Sequence, residues 1–228
     1  KHFSELNRIY WAHTPASTTI IKHMKQQTVD NPSKEFCKLF VVKDKDECRL
    51  AKDYNEWIAN YKEFDNYTRL NMLMLLSSAF ETFLRTVVSL AIESKPGAVL
   101  GCPDSIDGVF LLKKDANYGM INHKNYLFFD VIDKVCRGEW QNRVDAYEKY
   151  FGIAPPNLKN NIQKLDELRK TRNEIGHYFG RNKNQYETPI LIAPKDVHRI
   201  SHDNLIKYFN TVYTVVKSID KHLHEEYI

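Results

Sequence analysis

Glycine and proline are scarce, with eight of each in 228 residues. A many-stranded sandwich or barrel needs more turn residues than that, so long helices are favoured. The four cysteines, Cys37, Cys48, Cys102 and Cys136, form no C-x-x-C pair. They read as free thiols of a reducing, cytoplasmic compartment. No uninterrupted apolar run approaches the roughly 18 residues of a membrane span, and no signal peptide is evident, so neither secretion nor a membrane is expected. A strong charge bias is missing too: 33 Lys and Arg against 29 Asp and Glu leave +4. That excess neither demands nor excludes nucleic acid, and its location matters more than its size. Glycine-rich phosphate loops, G-x-S-x-G and H-E-x-x-H are all absent, which removes the common cofactor and hydrolase signatures.

What is present is helical periodicity. Hydrophobic residues make up 43% of the chain and can bury a real core. Residues 1–43 mix aromatic and polar stretches and read as an N-terminal decoration of one or two short helices, with a strand near 38–42. From 44 onward the pattern is that of one mainly α domain. Asp44–Asn66 carries Leu50, Tyr54, Trp57, Ile58, Tyr61 and Phe64 at amphipathic spacing, and Thr68–Ser94 is the longest uninterrupted helical candidate. Residues 96–123 gather Pro96, Gly97, Gly101, Pro103, Gly108 and Gly119, a long inter-helix insertion. Helical spacing resumes over 124–150 and 157–180. A short extended piece follows, held between Pro189 and Pro194. Ser201 reads as the N-cap of a last helix with Leu205, Phe209, Val212, Val216, Ile219 and Leu223 on one stripe. The economical arrangement packs the helices near 68–94, 158–178 and 202–226 together.

Metal chemistry has little to stand on. His198 and His202 are four apart, and His222 and His224 lie beside Glu225, yet neither pair has a nearby cysteine or a compelling third ligand, so no metal and no cofactor is expected. The sequon Asn66-Tyr67-Thr68 carries no meaning in a chain without an export signal.

One segment stands apart. Between Leu158 and Asn184 lie seven Lys or Arg against three acids, an excess equal to that of the whole chain. Arg169, Lys170, Arg181 and Lys183 are its candidate polyanion contacts. Arg172 falls on the apolar stripe, seven residues after Leu165 and seven before Phe179. A guanidinium there cannot deprotonate and must find an anionic or carbonyl partner. Glu81, set among core-type residues of the 68–94 helix, is the natural one, and a buried pair is expected. His177 follows Arg172 by five positions, directly after Gly176. On an ideal helix the two side chains then lie roughly 140° apart. Convergence requires the long arginine side chain, a bend at Gly176, or a second copy of the motif across a dimer axis.

Arg172-Asn173-Glu174-Ile175-Gly176-His177 resembles the Arg-polar-x(3)-His signature, Rx4–6H, of HEPN domains. The Ser77–Leu84 stretch with its inward Glu81 and the final helix fit the same resemblance, which covers 68–228. It implies an antiparallel helical bundle and a metal-independent endoribonuclease of toxin, RNA-processing or antiviral-defence type, acting as a homodimer on RNA. By position His177 would transfer the proton at the ribose 2′-OH or the leaving 5′-oxygen. Arg172 would stabilise phosphate charge, Asn173 would orient phosphate or Arg172, and Glu81 would support. The family's toxin–antitoxin branch often carries a modified Tyr two residues after the His. Here Phe179 occupies that place and Tyr178 precedes it. The chemistry is self-sufficient: RNA brings its own nucleophile, and histidine titrates near neutrality. The alternative is a non-catalytic HEPN module for dimerisation or for sensing nucleic acid or nucleotides. The chain begins at Lys1, not Met, and a further domain or regulatory partner is compatible with it.

Overall fold

The computed structural model describes residues 2–30, 54–95, 131–178 and 198–228. The expected strand near 38–42, the insertion over 96–123 and the proline-bounded piece at 189–194 lie outside them. Among the described residues 89% are helical and there is no strand, which is the mainly α, HEPN-like class expected. The helices are α1 (His2–Asp30), α2 (Tyr54–Ser94), α3 (131–136), α4 (Trp140–Phe151), α5 (Pro156–Lys159), α6 (Ile162–Tyr178) and α7 (His202–Glu226).

Several expectations change; the helix expected over 124–150 is interrupted at 137–139, where Gly138 has φ 89°, and that expected over 157–180 is split into α5 and α6. Residues 2–30 form one 29-residue helix in place of short pieces, and it continues through Pro15, which withholds one backbone donor. The helices expected at 44–66 and 68–94 run without a break from Tyr54 to Ser94 as one 41-residue α2, residues 44–53 lying outside the described ones. The seam at Asn66-Tyr67-Thr68 does not break it, because Asn66 faces inward and its amide is used. Asn66 Nδ2 donates to the His198 carbonyl at 3.0 Å, and its Oδ1 accepts from the Ile200 N–H at 3.2 Å. A buried carboxamide with both ends satisfied is stabilising where a lone one would be costly. Buried Asn66 also offers no surface for a glycan. By length and composition α2 could cross a membrane, since it holds an 18-residue window of mean hydropathy 1.4. Of its apolar residues Leu70, Leu73, Leu76, Phe80, Leu84, Val88 and Ile92 are buried, while Phe64, Leu75 and Leu90 are about half exposed.

The chain divides into two compact units. The first comprises Lys1–Leu75 and Asn173–Leu205. In it Tyr10 of α1 is buried, stacks on His202 and bonds that ring's Nδ1 at 2.8 Å. Burial raises the Tyr10 phenol above its ordinary pKa, so it remains protonated through neutral pH. Ser17 donates to Asp65, which also pairs with Arg69, and Arg69 Nε donates to the Ile200 carbonyl at 2.7 Å. Met24 and Ile58 close a small cluster under Trp57.

The second unit comprises Leu76–Arg172 and Ile206–Ile228. Within it the end of α4 meets the end of α7 and the residue after it: Tyr147 bonds His222 Nδ1 at 2.7 Å, and Phe151 meets Tyr227 edge-on. Leu158, Leu165 and Leu168 supply the buried side of α5 and α6, and Val212, Val215, Ile219 and Leu223 that of α7. Val215, not Val216, is the fully buried member of the α7 stripe. Gly138 (φ 89°) and Gly152 (φ 74°) end α3 and α4 in backbone that side chains disfavour. Ser201 caps α7, its Oγ accepting from the Asn204 N–H at 3.1 Å. Cys136 is buried and its thiol is pushed up to about 11, chiefly by loss of water, so it is protonated and inert near neutrality.

Candidate functional site

Helix α6 carries the singular motif, and α2 supplies its partner. In the second unit Arg172 Nη2 lies 3.8 Å from Glu81 Oε2. The pairing suggested by the two stripes therefore occurs, but it is not buried. The side chains are 34% and 36% exposed, because Arg172 sits where the α6 stripe reaches solvent. The buried charge is a residue that the sequence reading passed over. Arg143 of α4 is only 4% exposed, and its Nη2 lies 3.9 Å from Glu81 Oε1. One carboxylate thus faces two guanidiniums, each through its own oxygen. The signal for Arg143 was available: it stands on the stripe of Trp140, Val144, Tyr147 and Phe151, as Arg172 stands on its own.

Arg143 is fixed from several sides. Its Nε donates to the Gly138 carbonyl at 3.0 Å, and its guanidinium lies 4.6 Å over the Trp140 ring. That ring stacks on Phe80 with centroids 5.2 Å apart. Burial lowers the Arg143 pKa and the nearby Glu81 opposes that shift, but a guanidinium stays charged at any ordinary pH. Arg169 has a different setting from the open polyanion contact expected of it. Its Nε donates to Asp166 at 2.9 Å, Glu139 lies 3.9 Å from Nη2, and the side chain is largely covered. Asp166 in turn accepts from the Trp140 N–H. Lys170 is exposed. Arg181 and Lys183 lie outside the described residues.

In the first unit, Asn173 is half-buried, and Glu174 pairs with His198 at 3.8 Å. Helix α6 continues through Gly176 and ends at Tyr178, so the chain does not leave the helix at the glycine. His177 belongs to this last turn; its side chain, like that of Tyr178, lies outside the described residues, as does Phe179. The backbone positions of 172 and 177 are then about 7.5 Å apart along the axis and on different faces.

A Cβ added at Gly176 would meet Met74 Cε at 3.6 Å, an ordinary contact with the end of a flexible side chain. Gly176→Ala should therefore gain the helix propensity of alanine, ~0.5–1 kcal/mol, with no steric charge against it. A urea titration should show a higher midpoint at unchanged slope. A lower midpoint would mean that the glycine is required for its backbone freedom.

Among the described residues no group of three or more His, Cys, Asp or Glu could hold a metal ion. His202 and His222, one from each candidate pair, are engaged with Tyr10 and Tyr147.

No curated protein and no solved structure matches the chain. A protein-family model does, over residues 43–225, and its description is RiboL-PSP-HEPN. HEPN domains are often ribonucleases, and the match suggests a HEPN-type nuclease or RNA-related module. It runs over most of the chain and takes in Glu81, Arg172 and His177, so the chain belongs to the HEPN family described as RiboL-PSP-HEPN.

Proposed function

We propose that this chain is a metal-independent endoribonuclease of toxin or antiviral-defence type, active as a homodimer. The observation that carries the reading is the family match across a complete Arg172…His177 motif, with Arg172 tethered to Glu81 yet one-third exposed. A guanidinium beside a carboxylate and one-third exposed suits a transient phosphate charge, which a fully buried side chain could not reach. In the proposed cleft two motif copies meet. His177 takes the proton of the ribose 2′-OH or returns one to the departing 5′-oxygen. Arg172 stabilises the crowded phosphate, and Asn173 orients it. No metal is needed, because the nucleophile belongs to the substrate.

Single-stranded RNA incubated with the protein in EDTA should be cut to fragments ending in 2′,3′-cyclic phosphate, while DNA of the same sequence stays whole. Strict Mg²⁺ dependence, or equal cutting of DNA, would end the proposal. A chain that binds RNA and cuts nothing under any condition is the non-catalytic module instead.

A further inference from the structure

A helix on the surface of a globular protein ordinarily turns charge to water. Helix α2 departs from that. Between Lys62 and Glu93 no residue that it leaves exposed is charged. Phe64, Tyr67 and Asn71 come first, then Leu75, Ser78 and Thr82 at the same spacing eleven residues on, and Thr86 and Leu90 complete the row. An eleven-residue repeat runs nearly straight along an α-helix, so the row keeps to one side. Its four large members are 44–56% exposed. The charged residues of this stretch, Asp65, Arg69, Glu81 and Arg85, are all partly covered, and the first three stand in ion pairs.

The row is complementary to itself. Laid antiparallel about a two-fold axis between Leu76 and Ser77, it brings Leu75 level with the partner's Ser78, and Tyr67 level with the partner's Thr86. Each large side chain then lies beside a small one. Asn71 comes level with a hydroxyl, that of the partner's Thr82, and Phe64 with the partner's Leu90. Arg85 is the one charge on this side, and the axis sets it level with the partner's Tyr67 and Thr68, about 25 Å from its own copy. A lipid surface would leave the Asn71 amide without a partner, where a second copy supplies one. The row is ~39 Å long on a helix ~10–12 Å across, roughly 600 Å² per copy and about 1,200 Å² in all, which reaches the range of specific interfaces. The same axis leaves both Glu81 residues, each with the Arg172 beside it, on one face of the helix pair, their backbones ~16 Å apart.

We propose that the exposed row of α2 is a homodimer interface, packed antiparallel on the same row of a second copy. The pairing stands by itself; that it joins two motifs in one cleft rests on the ribonuclease reading above.

Sedimentation equilibrium and paired cysteines test it on the full chain. Leu75→Glu puts two acids beside the axis at an exposed position. The variant should keep its thermal midpoint and associate at least ~100-fold more weakly than the parent. Leu75→Glu/Ser78→Lys sets each new acid level with the partner's new base and should restore the dimer. Mixed Asn71→Cys and Thr82→Cys chains should form an interchain disulfide, located by mass spectrometry, while either variant alone should not. In two antiparallel copies each of those positions lies ~16 Å from itself, too far for a disulfide. Parallel pairing would reverse the cysteine result and overturn the proposal. A monomeric parent, or a dimer that Leu75→Glu leaves intact, would do the same. Should Leu75→Glu fail to fold, exposed Thr82→Glu takes its place, and the cysteine pair decides independently. Cleavage is read separately: per folded molecule it should fall with the dimer fraction and return in the double variant. Cleavage that survives loss of the dimer overturns the shared cleft. A parent that dimerises through α2 yet cuts no RNA ends the ribonuclease reading and leaves the interface standing.

Discussion

With His177 replaced by Ala, RNA cleavage per folded molecule is expected to fall by ~10²–10⁴, the usual worth of a general acid–base group. The thermal midpoint should stay close to that of the parent. Position 177 is in the last turn of α6, and alanine is the stronger helix former there. The large effect on rate and the small effect on stability have one source. Histidine is the side chain whose unperturbed pKa lets it both take and return a proton near neutrality, and the motif offers no other group with that property. Parallel cleavage assays and thermal melts check it. A variant that cuts like the parent would leave a non-catalytic HEPN module. One that unfolds while its residual folded fraction retains full activity would make His177 structural.

Glu81→Ala should have the largest cost in stability, ~3 kcal/mol in a urea titration. Removing one partner of a buried ion pair costs ~3–5 kcal/mol, because the other charge is left without compensation. The value belongs at the low end, since Glu81 is itself 36% exposed and water can take part of its place. The penalty arises from Arg143, whose Nη1 already lacks a hydrogen-bond partner among the described residues and which has no route to solvent. A loss below ~1 kcal/mol would show that the Trp140 face and the Gly138 carbonyl suffice to hold that charge, which is the typical worth of an exposed pair.

The stripes of α6 and α7 were legible because burial imposes its period directly: Leu158, Leu165, Leu168, Leu205, Val212 and Ile219 are core residues as their spacing requires. The Ser201 cap was legible for the same local reason. Arg172 and Glu81 were found as opposite charges on inward faces, and the family match covers both. Their exposure was not legible, since a stripe says which side a residue faces and not where the neighbouring helix ends. Arg143 was missed because the flanking Gln141, Asn142 and Asp145 made the α4 segment look polar. The continuity of α2 was hidden by Asn66, a residue that disfavours helix interiors unless its amide finds a distant partner. That partner is more than a hundred residues away in sequence. No local window contains it.

The Asn66 clamp has a consequence for how such chains can diverge. Asn66 and Arg69 bond the backbone of residues 198–200, and Glu63 pairs with Arg199, so α2 itself fixes where the chain stands one residue before the α7 cap. The start of α7 is therefore indexed to α2 and not to the number of residues that come before position 198. Lengthening a connection is cheap, about 0.6 kcal/mol per doubling, less than one well-made buried hydrogen bond. Insertions and deletions upstream of His198 can thus accumulate without shifting the α7 register. The same amide that interrupts the helical signal in sequence releases the preceding connection from any requirement on its length.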